Sequence, residues 1–385
     1  MTMLNPDNDM AVMTALFVIA VIGFMGEKTR IGSHITGAVI TILAAITAAN
    51  LNIIPHQSAA YDFVFTYLVP ILIPLFLFKA NLKQIFFETN RTTGAFLLAS
   101  LGTVLGVTVA ALVLDLSSLG IHSGLSPAQL EPAIAGLFAS TYIGGSVNYA
   151  ALGEITGLSN DASFFSAATA ADNLFSAVYL GMLALVPGWR WLAARYNDHD
   201  HREIIKEVQA LPITAMSLMA ALAIAMVIVV VGDLISGIIG NGWRYVVISS
   251  LTLLLATLCP RLVKQLSGSF ELGVGLSFVF FASIAAGADI LAMINVAPIL
   301  ISLVLILLSI HCLVTFGLGS LLGLSLPELI TASNAAILGA TTAPALAATK
   351  GWNNLVAPGI LVGVFGYALG TFLGTLIFKY WGMFL

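Results

Sequence analysis

Stretches of about twenty apolar residues, the length at which a helix crosses the hydrocarbon of a bilayer, recur twelve times along this chain and leave it few ways to fold. In the first half they cover about 10–26, 34–54, 61–79, 93–115, 132–158 and 162–187. In the second half they cover about 211–236, 243–259, 270–288, 295–323, 327–350 and 354–380. Between the halves, 189–210 is the longest charged stretch, holding Arg190, Arg195, Arg202, Lys206, Asp198, Asp200, Glu203 and Glu207. A soluble alternative lacks material for its surface. Of 385 residues 59% are apolar and 8% charged, against roughly 25% charged in soluble domains. The chain reads as an all-α integral membrane protein, with a first repeat over 1–188, a linker over 189–210 and a second repeat over 211–385.

Charge patterning tests how the runs cross. Lys and Arg collect on the cytoplasmic side of membrane proteins. If all twelve runs cross once from an outside N-terminus, the fourteen cations divide seven against seven. If the fifth and eleventh runs enter and leave on the same side, only Arg244 and Lys379 stay outside, and the other twelve lie inside with the linker. An odd number of crossings per half inverts one half relative to the other, the architecture of many secondary transporters. The expectation is two inverted repeats, each of about five transmembrane helices plus one broken or re-entrant segment. The charge rule alone leaves open a hairpin or a broken crossing helix; the hairpin is favoured because these two runs are the least helix-like.

The broken segments, about 132–158 and 327–350, carry Thr141-Tyr142-Ile143-Gly144-Gly145-Ser146-Val147-Asn148 and Asn334 through Gly339-Ala340-Thr341-Thr342-Ala343-Pro344. Glycine and proline weaken a helix there. Arms of about ten residues reach about 15 Å, half the hydrocarbon thickness. Ile143-Gly144-Gly145-Ser146 aligns with Leu338-Gly339-Ala340-Thr341 at a spacing of half the chain, an internal repeat. Unwound backbone persists in a membrane only inside protein or beside water. Helix N-termini at the tips favour an anion, while hydroxyls and carbonyls suit Na⁺. Gly144, Gly145, Ser146, Asn148, Asn334, Thr341 and Thr342 are therefore candidate substrate-binding residues. The competing explanation, glycines that merely let helices pack closely, leaves Asn148 and Asn334 without a purpose.

Asp172, in Ala171-Asp172-Asn173, is the carboxylate set deepest in an apolar run. Intramembrane acids line pathways or pair with polar groups. Asp172, Asn173, Thr141 and Tyr142 are candidates for coupling to a cation or proton, with Asp172 a candidate Na⁺ ligand. Its repeat partner is Gly366, so any cation site is single and asymmetric. His311 reads as a helix–helix hydrogen-bonding group. Asp233, Asp289 and Glu271 lie near predicted helix ends, and Pro70 and Pro74 should kink the third helix.

Several classes are set aside. The formal charge of −4 is spread thinly, with no basic stripe for nucleic acid. Cys259 and Cys312 show no redox or metal spacing, and no nucleophile elbow, phosphate loop or metal-binding His pair appears, so an enzyme is not expected. No cofactor is expected beyond a bound Na⁺. The N-terminus lacks a basic leader and cleavage site, so the first run is expected to be a retained helix.

Phe78-Lys79-Ala80-Asn81-Leu82, the Thr141–Asn148 motif, Ala171-Asp172-Asn173 and Pro358-Gly359-Ile360-Leu361-Val362-Gly363-Val364-Phe365-Gly366-Tyr367 resemble the YjcL-like family of membrane proteins of unknown function over nearly the whole chain. That family is grouped with cation–proton antiporters and sodium-coupled carriers of bile acids, glutamate and citrate. The resemblance implies a core domain holding both broken segments, a panel domain, elevator-type movement and a homodimer in a bacterial cytoplasmic membrane. Two positions depart from the wider pattern: Asp172-Asn173 replaces the paired acids of many antiporters, and Gly339-Ala340 replaces a glycine pair of glutamate and citrate carriers. The expected activity is Na⁺- or H⁺-coupled transport of a small organic anion or zwitterion. A monovalent cation–proton antiporter, or a channel or membrane interaction protein, are the alternatives.

Overall fold

A computed structural model describes residues 2–29, 37–119, 121–197, 211–240, 243–288 and 290–381. Among them the secondary structure is helical, apart from an isolated β-bridge between Asn197 and Ser325. In chain order, α1 (Asp9–Glu27), α2 (Gly37–Asn50), α3 (Ala59–Leu77) and α4 (Asn90–Val113) precede a broken pair, α5 (Pro127–Gly144) and α6 (Ser146–Thr156), and then α7 (Ala162–Leu185). The second half comprises α8 (Ala215–Ile239), α9 (Arg244–Leu258), α10 (Ser269–Ala286) and α11 (Ile290–Leu321). The pair α12 (Leu326–Leu338) and α13 (Thr342–Thr349) follows, and α14 (Val356–Lys379) ends the fold. Eight helices among the described residues are long and apolar enough to cross a membrane. Lipid-facing side chains such as Phe17, Val21, Leu112, Val227 and Leu234 remain exposed on them.

Both broken pairs start with the same local grammar. Ser126 and Ser325 cap α5 and α12, proline occupies the first turn, and Gln129 and Glu328 close capping boxes. Both pairs then break at one glycine. Gly145 has φ 76°, ψ −172° and Gly339 has φ 85°, ψ −166°, a region open essentially to glycine alone. The structural repeat therefore aligns Gly145 with Gly339, sliding the sequence alignment of Gly144 with Gly339 by one residue. Ala340 corresponds to Ser146, so the second half keeps the one glycine its break requires. Gly144 answers a different need: a Cβ there would collide with the Gly366 carbonyl.

The chain reverses at each break. Asn148 Nδ2 reaches the Ser140 carbonyl at 3.5 Å, and Thr342 Oγ1 donates to Asn334 Oδ1 at 2.7 Å. Each pair is eight residues apart, which an unbroken helix would hold about 12 Å apart. The segments are hairpins, the form favoured for these two least helix-like runs.

The hairpins enter from opposite ends of the molecule. Arg91 pairs with Glu328 at the base of the second hairpin (Nε–Oε1 2.7 Å), and Arg91 and Asn197 both donate to the Gly323 carbonyl, at 2.9 and 3.1 Å. At the other end of α14, Trp381 Nε1 donates to Glu131 Oε1 at the base of the first hairpin, at 2.7 Å. There Lys379 lies 4.3 Å from the Trp243 ring centroid, and Arg244 pairs with Asp233 at 2.5 and 2.9 Å. Arg244 and Lys379, the two cations the charge pattern separates, thus share the end remote from Asn197. Arg30, Arg202, Lys206, Asp289 and most of the linker lie outside the described residues.

Two groups of helices pack side by side. α1, α2, α3, α8, α9 and α10 contact chiefly one another, while α4, α7, α11 and α14 surround the hairpins. In α3 a π-helical turn, Val64–Leu68, precedes Pro70 and Pro74. This is the irregularity expected where prolines remove N–H donors.

Candidate substrate and cation site

α14 shows where the hairpins meet, because five glycines on one face record what lies against them. A Cβ at Gly359 would touch Thr331 Cγ2 at 3.0 Å, within the second hairpin, and at Gly363 it would meet Ala340 Cα at 2.6 Å, at its tip. One turn on, at Gly366, it would meet the Ile143 carbonyl at 2.5 Å, at the first tip. At Gly370 and Gly374 the neighbours are Ser140 O at 2.7 Å and Gly136 O at 2.8 Å, along the first hairpin's arm. The two tips therefore meet near the middle of a 24-residue helix about 36 Å long. Open space adjoins them: Ser146 and Thr341 are exposed, and a Cβ at Gly145 would meet nothing.

Asp172 stands on α7 against the first hairpin. Thr141 Oγ1 donates to its Oδ2 at 3.3 Å and Ser176 Oγ to its Oδ1 at 3.5 Å. The residue is 8% exposed, and the buried hydroxyl of Tyr142, the next residue on the hairpin after Thr141, faces its carboxylate. Asp172, Thr141 and Ser176 form a cluster of oxygens, the donor type hard cations prefer. No group of three or more His, Cys, Asp or Glu with metal-binding geometry occurs among the described residues.

The other predicted residues divide. Asn148 is engaged in holding the first hairpin to α14: its Nδ2 donates to Gly366 O at 3.0 Å and its Oδ1 accepts from Thr371 at 2.7 Å. Asn173 is half-buried and turns back to its own helix, donating to Thr169 O at 2.8 Å. Asn334 is fully buried, bonded to Thr342 through Oδ1, and its Nδ2 has no partner.

A buried polar chain not visible in the sequence links the hairpins. Thr103 on α4 donates to the Tyr142 carbonyl at 3.2 Å and meets His311 Nδ1 at 2.9 Å. His311 Nε2 meets Ser333 Oγ at 2.9 Å, and Ser333 meets the Tyr179 hydroxyl at 2.9 Å. His311 is the helix–helix hydrogen-bonding group expected of it. Thr103, Ser333 and Tyr179 had no separate signal, except that Ser333 adjoins Asn334 in the broken segment.

A cavity of about 1120 Å³ opens between the two helix groups at the end near His122. Its lining includes the exposed Asp9, His56 and Asp62, the half-buried Asp161 and Phe65, and the buried Phe164. Toward the opposite end, Phe76, Phe270 and Tyr367 form an aromatic cluster, with ring centroids 5.3 to 6.4 Å apart. The Tyr367 hydroxyl stands beside Gly339, 3.5 Å from where a Cβ would be.

Apolar spanning helices surrounding two opposed hairpins define an integral membrane protein. The chain belongs to the family described as "Protein of unknown function (DUF819)", whose model matches residues 11–384. It is 32% identical over 382 residues, 93% of each chain, to the "Uncharacterized membrane protein YjcL" of Bacillus subtilis (strain 168). The family resemblance read from the motifs is thereby established.

Proposed function

We propose that this protein is a secondary active transporter that couples Na⁺ or H⁺ to movement of a small organic anion or zwitterion. The observation that carries this reading is the meeting of two hairpin tips, entering from opposite ends, at the middle of α14, with Asp172 against one of them. Backbone that unwinds at that depth persists only inside protein or beside water, and an acid there marks a pathway or pairs with polar groups. The two halves act as inverted repeats, 1–188 and 211–385. The N-terminus is outside, the linker is cytoplasmic, and the membrane is a bacterial cytoplasmic membrane.

The hairpins with α4, α7, α11 and α14 form the core, and the other helices form the panel. The cavity between these groups supports an elevator movement in which the core carries the site past the panel, in a homodimer. The oxygen cluster around Asp172 also favours a second reading, a monovalent cation–proton antiporter. Purified protein in liposomes separates the two. A coupled carrier accumulates solute only under a Na⁺ or proton gradient, and an antiporter moves protons against Na⁺ or K⁺ without solute. Solute uptake that survives collapse of both gradients contradicts the proposal.

A further inference from the structure

The hairpins share a backbone pattern but use their amides differently. At the spacing of 194 residues that aligns Gly145 with Gly339, Ser140 corresponds to Asn334 and Asn148 to Thr342. Both pairs bond across their hairpin. In the first hairpin the amide belongs to Asn148, and both its ends are satisfied by α14. In the second the amide belongs to Asn334, whose Oδ1 is taken by Thr342 and whose Nδ2 is left buried and unpaired. An unsatisfied buried donor is costly, and such exceptions in folded proteins call for an explanation.

Other donors share that position. Thr342 is the first residue of α13, and no side chain caps this helix. The N–H groups of its first turn lack intrahelical acceptors, and the helix dipole adds partial positive charge. Pro344, third in the helix, contributes no N–H, which leaves the backbone donors at Thr342 and Ala343, beside the amide of Asn334. Thr341, just before them, is exposed to open space. The carboxylate of the core, Asp172, lies instead against Thr141 of the first hairpin. Donors thus gather at the second tip, and a carboxylate with hydroxyls at the first.

We propose that the second hairpin's tip is a carboxylate subsite, in which Asn334 Nδ2 and the first N–H groups of α13 donate to a carboxylate of the transported solute. This rests on the carrier reading and assigns the two charges to separate hairpins: cation beside Asp172, anion beside Asn334. The amide is closed off in this conformation, with the Tyr367 hydroxyl at the tip, so admission requires the tip and that ring to part. A solute bearing one carboxylate satisfies the subsite, and its uncharged amide does not, because the amide replaces an acceptor oxygen with a further donor.

The test is the thermal unfolding midpoint of the purified full chain, titrated at constant ionic strength with acetate, propionate and succinate and with the matching primary amides. Ligands that bind only the folded protein raise the midpoint. The expected result is a rise with carboxylates and not with amides, weakened by roughly tenfold or more in apparent affinity in Asn334→Asp, which sets an acceptor against the carboxylate. Thr342→Val, which frees the amide to turn, should also weaken the response and serves if Asn334→Asp does not fold. Equal responses to carboxylates and amides, no response to either, or an unchanged carboxylate response in Thr342→Val overturns the subsite. A Na⁺-dependent rise in the same samples, lost in Asp172→Asn, reports on the cation side alone. If it persists when the carboxylate response fails, the subsite is wrong and the carrier reading stands; if both fail, both are wrong.

Discussion

At the scale of single residues, the structure separates polar groups that hold the fold from those with capacity to spare. Asn148 makes bonds to Gly366 and Thr371 that fasten the first hairpin to α14. Asn148→Ala should lower stability by about 2 kcal/mol, at roughly 1 kcal/mol per hydrogen bond with both partners left buried, and the thermal midpoint of purified protein reads this. Asp172→Asn keeps shape and removes charge. It should fold normally yet abolish dependence on the Na⁺ or proton gradient in liposomes; retained coupling would remove Asp172 from the mechanism.

His311 joins Thr103 to Ser333 with the whole residue buried. His311→Ala should cost about 2–5 kcal/mol, because it both opens a cavity and removes one hydrogen bond from each of two buried hydroxyls, a loss visible as a lower denaturation midpoint. From sequence, Asn148 and Asn334 looked alike, two amides in broken runs. Which of them is satisfied depends on Thr371 and Gly366, more than two hundred residues from Asn148, and no local pattern carries that.

At the scale of elements, the hairpins were the most legible part of the chain. Their glycines, proline and hydroxyls interrupt otherwise apolar runs, and the cation distribution favoured an odd number of crossings per half. Capping boxes at Ser126 and Ser325 set their starts in the structure, the first at Pro127 and so earlier than the expected 132. The register of the repeat was less legible, because Gly144 and Gly145 are adjacent and of one type. Conformation decides between them: Gly145 supplies a positive φ, and Gly144 supplies room for Gly366. Gly145→Ala and Gly339→Ala should therefore each cost about 1–3 kcal/mol in backbone strain.

The base of the second hairpin rests on a half-exposed Arg91 and a buried Glu328. Arg91→Ala leaves that carboxylate bonded within its capping box and should destabilise by about 1–2 kcal/mol. Much of the loss should return in the double variant with Glu328→Gln, as chemical denaturation can show; no recovery would mean that the pair is not what anchors the base.

At the scale of the whole molecule, length and composition fixed the membrane assignment. The polar chain from Tyr142 through Thr103, His311 and Ser333 to Tyr179 became visible only once three helices and the two hairpins closed around it. The cavity at the His122 end and the aromatic cluster of Phe76, Phe270 and Tyr367 toward the other end are likewise products of assembly. In the carrier reading the first is an open approach and the second a closed one. The account stands or falls on water reaching both hairpin tips at the depth of α14's midpoint. Ser146→Cys and Thr341→Cys, made after replacing Cys259 and Cys312 by serine, place a thiol at each tip. Thiols react with maleimides as thiolates, which need water, so a membrane-impermeant maleimide applied to vesicles of defined orientation reads that access directly. Labelling of both positions is the predicted result; two thiols that stay unreactive from either side, in folded protein, would contradict it.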